Sequence, residues 1–182
     1  MKKKILVKGP AFSRSGYGEH TRFLLRSLRP HEENYDIYLI NIPWGHTGFF
    51  TEETEFRAWM DSILQKTIEY GQSGGQFDLS AQVTIPNEWE KIAPINIGIT
   101  AGIEVTKVSP QWLAKGNEVD KIIVVSEHAK QVYETSTCIA RNEATGHEVN
   151  DYHCETSIEV IHYPVREFEE EKIQGFKLDY DF

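Results

Sequence analysis

The sequence predicts an α/β domain built on a doubly wound, mostly parallel sheet. Three observations carry that prediction. Short apolar segments without polar alternation, such as Ile5-Leu6-Val7 and Lys121 to Val125, have the texture of strands covered on both faces. Between such segments lie stretches with apolar residues at three- and four-residue steps, which gives a strand–helix–strand rhythm. A glycine-rich turn from Gly9 to Gly18 follows the first strand, at the sheet edge where open α/β folds take their ligands.

The elements follow in order. After Ile5-Leu6-Val7 and the glycine turn, Tyr17, His20, Thr21, Leu24, Leu25 and Leu28 mark one face of a helix that Pro30 closes. Gly16 is expected as its N-cap, with Glu19 as the acid three positions on. Tyr35 to Ile42 reads as the second strand, ended by Pro43. Phe56, Trp59, Met60, Ile63, Leu64, Thr67 and Ile68 trace a helix stopped by Gly71 and Gly74-Gly75. Phe77 to Ile85 is the third strand and Ile95 to Thr100 the fourth. Pro110 opens a helix over 110–118, and Lys121 to Val125 is the fifth strand, leading into a helix that begins at Ser126. From Thr137 the texture changes: strand-like arms flank a turn at Asn142 to His147, which predicts a β-hairpin insertion near 138–157. Ile158 to His162 is a further strand, stopped by Pro164.

At 182 residues, 40% apolar and 26% charged, the chain has the material for one folded core. No apolar run reaches the roughly 18 residues of a membrane span, and Met1-Lys2-Lys3-Lys4 leads straight into a strand. A cytoplasmic setting is expected. The charge of −9 is uneven: residues 1–142 carry 16 Lys/Arg against 17 Asp/Glu, whereas residues 143–182 carry 3 against 11. A neutral body with an acidic tail lacks the basic face that nucleic-acid phosphates require, so nucleic-acid binding is set aside. Cys138 and Cys154 are symmetric about Gly146, so a hairpin could oppose them, with His147 and His153 nearby. Their spacing matches no zinc signature, and free thiols with no metal are expected.

Several residues carry possible chemistry. Backbone amides at a helix start bind phosphate or carboxylate, and glycine allows close approach, which marks Ser15, Gly16, Tyr17, Gly18 and His20. Neither the dinucleotide fingerprint nor the P-loop pattern is present. Glu104 and Lys107 leave the fourth strand at the same sheet edge. They read either as substrate contacts or as an exposed pair at a helix entrance. Ser126 and Glu127 suit a helix start, leaving His128 open. Trp44 and His46 sit on a loop after a strand and are better placed than Trp89 or Trp112 to meet a sugar ring.

Taken together, these residues resemble the amino-terminal half of a retaining glycosyltransferase of family 4. Lys8-Gly9-Pro10 through Ser15-Gly16-Tyr17-Gly18-Glu19-His20 is similar to that family's first glycine loop. Ile97 to Glu104 resembles its loop after the fourth strand. Pro110-Gln111-Trp112 and Val119 to His128 resemble the run ending in a helix-capping Ser-Glu. Val160 to Val165 resembles the strand entering the interdomain linker. The resemblance spans nearly the whole chain apart from the hairpin.

It implies a Rossmann-like amino-terminal, acceptor-side domain over 1–165 and an acidic interdomain linker over 166–182. The carboxy-terminal donor domain, with its pair of spaced glutamates, would be absent. It further implies a nucleotide sugar as donor substrate, a sugar acceptor and no cofactor. Gly16 and Gly18 would approach the donor phosphates, Glu104 with Lys107 would face the cleft, and His46 and His128 are lesser candidates. The histidine that such enzymes frequently carry after the fourth strand has no counterpart between Thr100 and Val108. The alternative is a noncatalytic Rossmann-like module that binds a sugar or nucleotide and acts with a partner chain.

Overall fold

The computed structural model describes residues 2–141 and 145–165. Its elements are β1 (Lys3–Gly9), α1 (Gly16–Leu28), β2 (Tyr35–Asn41), α2 (Glu55–Gln72), β3 (Leu79–Val83), β4 (Ile95–Thr100), α3 (Pro110–Gly116), β5 (Lys121–Val124), α4 (Glu127–Thr135), β6 (Cys138–Arg141), β7 (Glu148–Tyr152) and β8 (Ile158–Val160). Six strands form one sheet in the order β2-β1-β3-β4-β5-β8, and every neighbouring pair is parallel. This is the doubly wound, Rossmann-like arrangement read from the sequence. The chain steps outward from β1 to β2, then returns to the other side of β1 with β3. The strand order therefore reverses there, which is the place where open α/β sheets usually take their ligands.

Both faces of the sheet are covered, which is why its strands read as continuous apolar runs. Val7, Leu25, Ile37, Leu39, Met60 and Ile63 form one core with α1 and α2. Trp89, Leu113, Ile122, Val124, Val132 and Tyr133 form the other with α3 and α4. Trp89 is fully buried, and Gly98 makes room for it, since a Cβ there would lie 2.6 Å from the indole ring. Helix α2 also protects the sheet edge: Thr67 Oγ1 accepts a 2.8 Å hydrogen bond from the N–H of Leu39 on the outermost strand. Ile68, on the apolar stripe of that helix, nevertheless stays 55% exposed.

Two sequence expectations need correction. The N-cap of α1 is Ser15, not Gly16; its backbone is extended and its hydroxyl accepts from the Gly18 N–H. Glu19 accordingly lies one position further into the helix, where it binds Arg22 and Arg26. The hairpin forms as β6 and β7, but its register sets Cys138 opposite Tyr152, not Cys154, and both thiols are free. The turn residues 142–144 and the acidic segment 166–182 lie outside the described residues.

Candidate functional site

The carboxyl ends of the parallel strands gather most of the residues that the sequence marks. Strand β1 delivers the chain to Gly9, where a side chain would collide with Thr21 Oγ1 at 2.5 Å; α1 thus lies tightly on the strand end. The chain then folds on itself through Ala11 N–H to Gly9 O and Ser13 N–H to Pro10 O, both 2.9 Å. Ser15 starts the helix. Gly16 is exposed with open space where a Cβ would stand. Neither its N–H nor that of Tyr17 meets an acceptor among the described residues. Those two amides, at the positive end of the α1 dipole, form an anion-facing surface. Gly18 serves a different purpose. Its N–H is taken by Ser15 Oγ at 3.0 Å, and a Cβ there would lie 2.1 Å from Ser13 O. It is glycine so that the helix can seat on the loop.

Tyr17 ties the loops together. Its ring packs on Trp44 with centroids 4.6 Å apart. Its hydroxyl lies 2.8 Å from Thr100 Oγ1 at the tip of β4 and accepts from Ala101 N–H at 3.3 Å. Burial raises the Tyr17 pKa; the Thr100 and Ala101 hydrogen bonds oppose this, while the carboxylates of Glu104 and Glu88 add to it. A run of hydroxyls joins the loop after β1 to that after β2. Ser13 Oγ donates to Ser15 Oγ at 2.9 Å and lies 2.6 Å from Thr47 Oγ1, which in turn donates to Trp44 O. Beneath them, Arg22 is buried and donates to Ala11 O at 2.7 Å and Ser13 O at 2.9 Å. Its guanidinium lies 4.6 Å from the Phe50 ring centroid.

The remaining marked residues stand apart. Glu104 and Lys107 are exposed, and no ion pair or hydrogen bond engages their side chains among the described residues. His46 is likewise exposed and unpartnered there. Ser126 caps α4 through Ala129 N–H at 3.1 Å. His128 Nε2 lies 3.3 Å from Val105 O and steadies the loop after β4, while Gly102, at φ +105°, lets that loop turn against Ala129. His20 points to a separate, apolar pocket of about 300 Å³ lined by Phe23, Leu24, Ile99, Ile123 and Ile161. Its ring meets Tyr163 edge-on at 4.9 Å, its buried Nδ1 has no hydrogen-bond partner among the described residues, and burial lowers its pKa to about 4.

Protein-family models, curated proteins and solved structures give no match to this chain. The functional reading therefore rests on the site. No helix among the described residues is long and apolar enough to cross a membrane. Among the described residues no group of three His, Cys, Asp or Glu side chains is arranged to hold a metal ion.

Sequence reasoning missed Ser13, Thr47, Thr100 and Arg22. The hydroxyl contacts join residues 34 and 83 positions apart, a distance that no local pattern encodes. Arg22 did leave a signal: a cation on the buried face of an otherwise apolar helix stripe must have partners there.

Proposed function

We propose that this domain is the acceptor-side half of a retaining glycosyltransferase, which moves a sugar from a nucleotide-sugar donor to a glycan, lipid or small-molecule acceptor. One observation carries the reading. A helix start with two unengaged amides, at Gly16 and Tyr17, faces outward at the carboxyl edge of an all-parallel sheet, beside the Tyr17–Trp44 pair. Retaining transfer depends on electrostatic relief of the departing diphosphate more than on a strong protein base. The amides of Gly16 and Tyr17 supply part of that relief from this side of the cleft. Glu104 and Lys107, exposed on the loop after β4, are the side chains that would meet charge and hydroxyls on the substrates, with His46 and His128 as lesser candidates. The resemblance assigns most donor contacts to a carboxy-terminal domain outside residues 1–182, so this chain alone is expected to have negligible transferase activity.

The test is a titration of the ¹⁵N-labelled 182-residue protein with UDP and with GDP. Shifts centred on the Gly16 and Tyr17 amides are expected for one of them. Unmoved amides at both positions would remove the basis of the reading. Turnover of a nucleotide sugar by the isolated chain at about 1 s⁻¹ or faster would overturn the claim that it is inactive alone.

A further inference from the structure

A pocket of about 320 Å³ lies between the loops after β1 and β2, beside the α1 start but distinct from it. Its volume is at the lower end for small-molecule sites, the scale of a single ring, not a whole nucleotide sugar. No titratable side chain lines it, and the Arg57 guanidinium beside Phe49 is already paired with Asp61 at 3.0 Å. A site for a diphosphate or a carboxylate needs positive charge or converging amides, so an uncharged lining selects a neutral ligand.

The walls alternate aromatic faces with neutral hydrogen-bonding groups. Trp44 is half-buried and held against Tyr17. Phe49 is 55% exposed although it stacks on Phe12 at 5.7 Å and lies 5.1 Å from the Arg57 guanidinium, so these contacts leave over half of its surface open to a ligand. Ser13, Thr47 and Asn41 line the same pocket. Asn41 Oδ1 accepts from Phe12 N–H at 3.0 Å, which fixes the orientation of the amide and leaves its NH₂ without an acceptor among the described residues. Flat apolar faces beside fixed neutral donors and acceptors match a pyranose, whose C–H face is apolar and whose rim is hydroxyl.

We infer that this pocket is a binding site for a neutral hexopyranose ring, held between Trp44 and Phe49 and read by Asn41, Ser13 and Thr47. Ser13 also bonds Ser15, the cap of α1, so a ring here adjoins the anion-facing amides. Identifying that ring as the acceptor's sugar rests on the transferase reading; the ring site itself does not.

The experiment adds the methyl glycosides of glucose, galactose, mannose and N-acetylglucosamine to the full chain, with dodecanoate as an apolar control. The readout is the Trp44 indole ¹H–¹⁵N resonance, recognised by its absence in Trp44→Phe. Saturable movement of that resonance by at least one glycoside is expected, weakened about three- to tenfold in Phe49→Ala. The inference is overturned if no glycoside moves it, if Phe49→Ala leaves affinity unchanged, or if dodecanoate alone moves it. Titration with UDP in parallel separates the two readings. A Gly16 shift with UDP and no Trp44 shift with any glycoside overturns the ring site and leaves the transferase reading standing. A Trp44 shift with a glycoside and no Gly16 shift with UDP upholds the ring site and removes its assignment to an acceptor.

Discussion

Gly16 and Gly18 are both glycines in the first turn of α1, and the structure gives them opposite sensitivities. A Cβ on Gly18 would lie 2.1 Å from Ser13 O and 3.0 Å from both Pro10 O and Ser13 C. All three are backbone atoms, so no side-chain rotation relieves the contact. Ser13 O must retreat by about 0.9 Å to reach a tolerable 3.0 Å. That carbonyl is also an acceptor for the buried Arg22 guanidinium at 2.9 Å. Overpacking of this kind costs about 1–3 kcal/mol, and losing a hydrogen bond to a charged donor about 1.5–3 kcal/mol. The better helix propensity of alanine returns about 1 kcal/mol. Gly18→Ala is therefore expected to destabilise the chain by about 2–4 kcal/mol, a large part of a typical domain's 5–15 kcal/mol. Gly16→Ala meets nothing within 4 Å and, with the same propensity gain, should range from neutral to about 1 kcal/mol more stable than the parent. Urea unfolding followed by circular dichroism measures both. Equal stabilities for the two variants would refute the argument that α1 seats on the loop through Gly18.

Two other perturbations probe the same region. Arg22→Met keeps much of the apolar stem but leaves Ala11 O and Ser13 O without their donor, so a loss of about 3 kcal/mol is expected in the same unfolding assay. A loss below about 1 kcal/mol would mean that Arg22 does not hold the loop. His20 should make stability pH-dependent in a defined sense. Its folded pKa is depressed from 6.5 to about 4, so between those values the unfolded chain binds the extra proton. Stability is then full above about pH 6.5 and falls as pH drops towards 4, by at most about 3 kcal/mol. Unfolding free energies of the parent and His20→Phe at pH 7, 5.5 and 4 isolate this contribution, and parallel curves would refute it.

What was legible in the sequence followed from local chemistry. The strands of the parallel sheet announce themselves because two covered faces require unbroken apolar runs. Ser126 is found as a helix cap, and Pro110 as a helix start, because both signals act over two or three residues. The first cap was misassigned by one residue because Ser15 and Gly16 are both acceptable cap types, and only the extended backbone of Ser15 decides between them. The site was legible as a position and not as a constellation. Gly18 reads as a glycine for a ligand, yet its neighbour is Ser13 O. His20 reads as a neighbour of the glycine loop, yet three residues of helix carry it to the Tyr163 side.

The hydrogen bonds divide the residues at this edge of the sheet into two kinds, and the division follows from what each is attached to. Ser13, Ser15, Tyr17, Trp44, Thr47 and Thr100 are bound to one another across the ends of β1, β2 and β4. Changing any one of them perturbs a shared network, so lost binding in such a variant confounds folding with recognition. Glu104, Lys107 and His46 are exposed and make no hydrogen bond or ion pair among the described residues, while the Glu104 carboxylate helps to raise the Tyr17 pKa. A ligand effect of substituting Lys107 or His46 therefore reports on recognition with little change to the fold. They also lack the supporting contacts that preorganise a side chain, so a ligand that uses them must itself order them. The anchored set is therefore suited to supply a fixed shape at the site, and the free set the charge that closes on what is bound there.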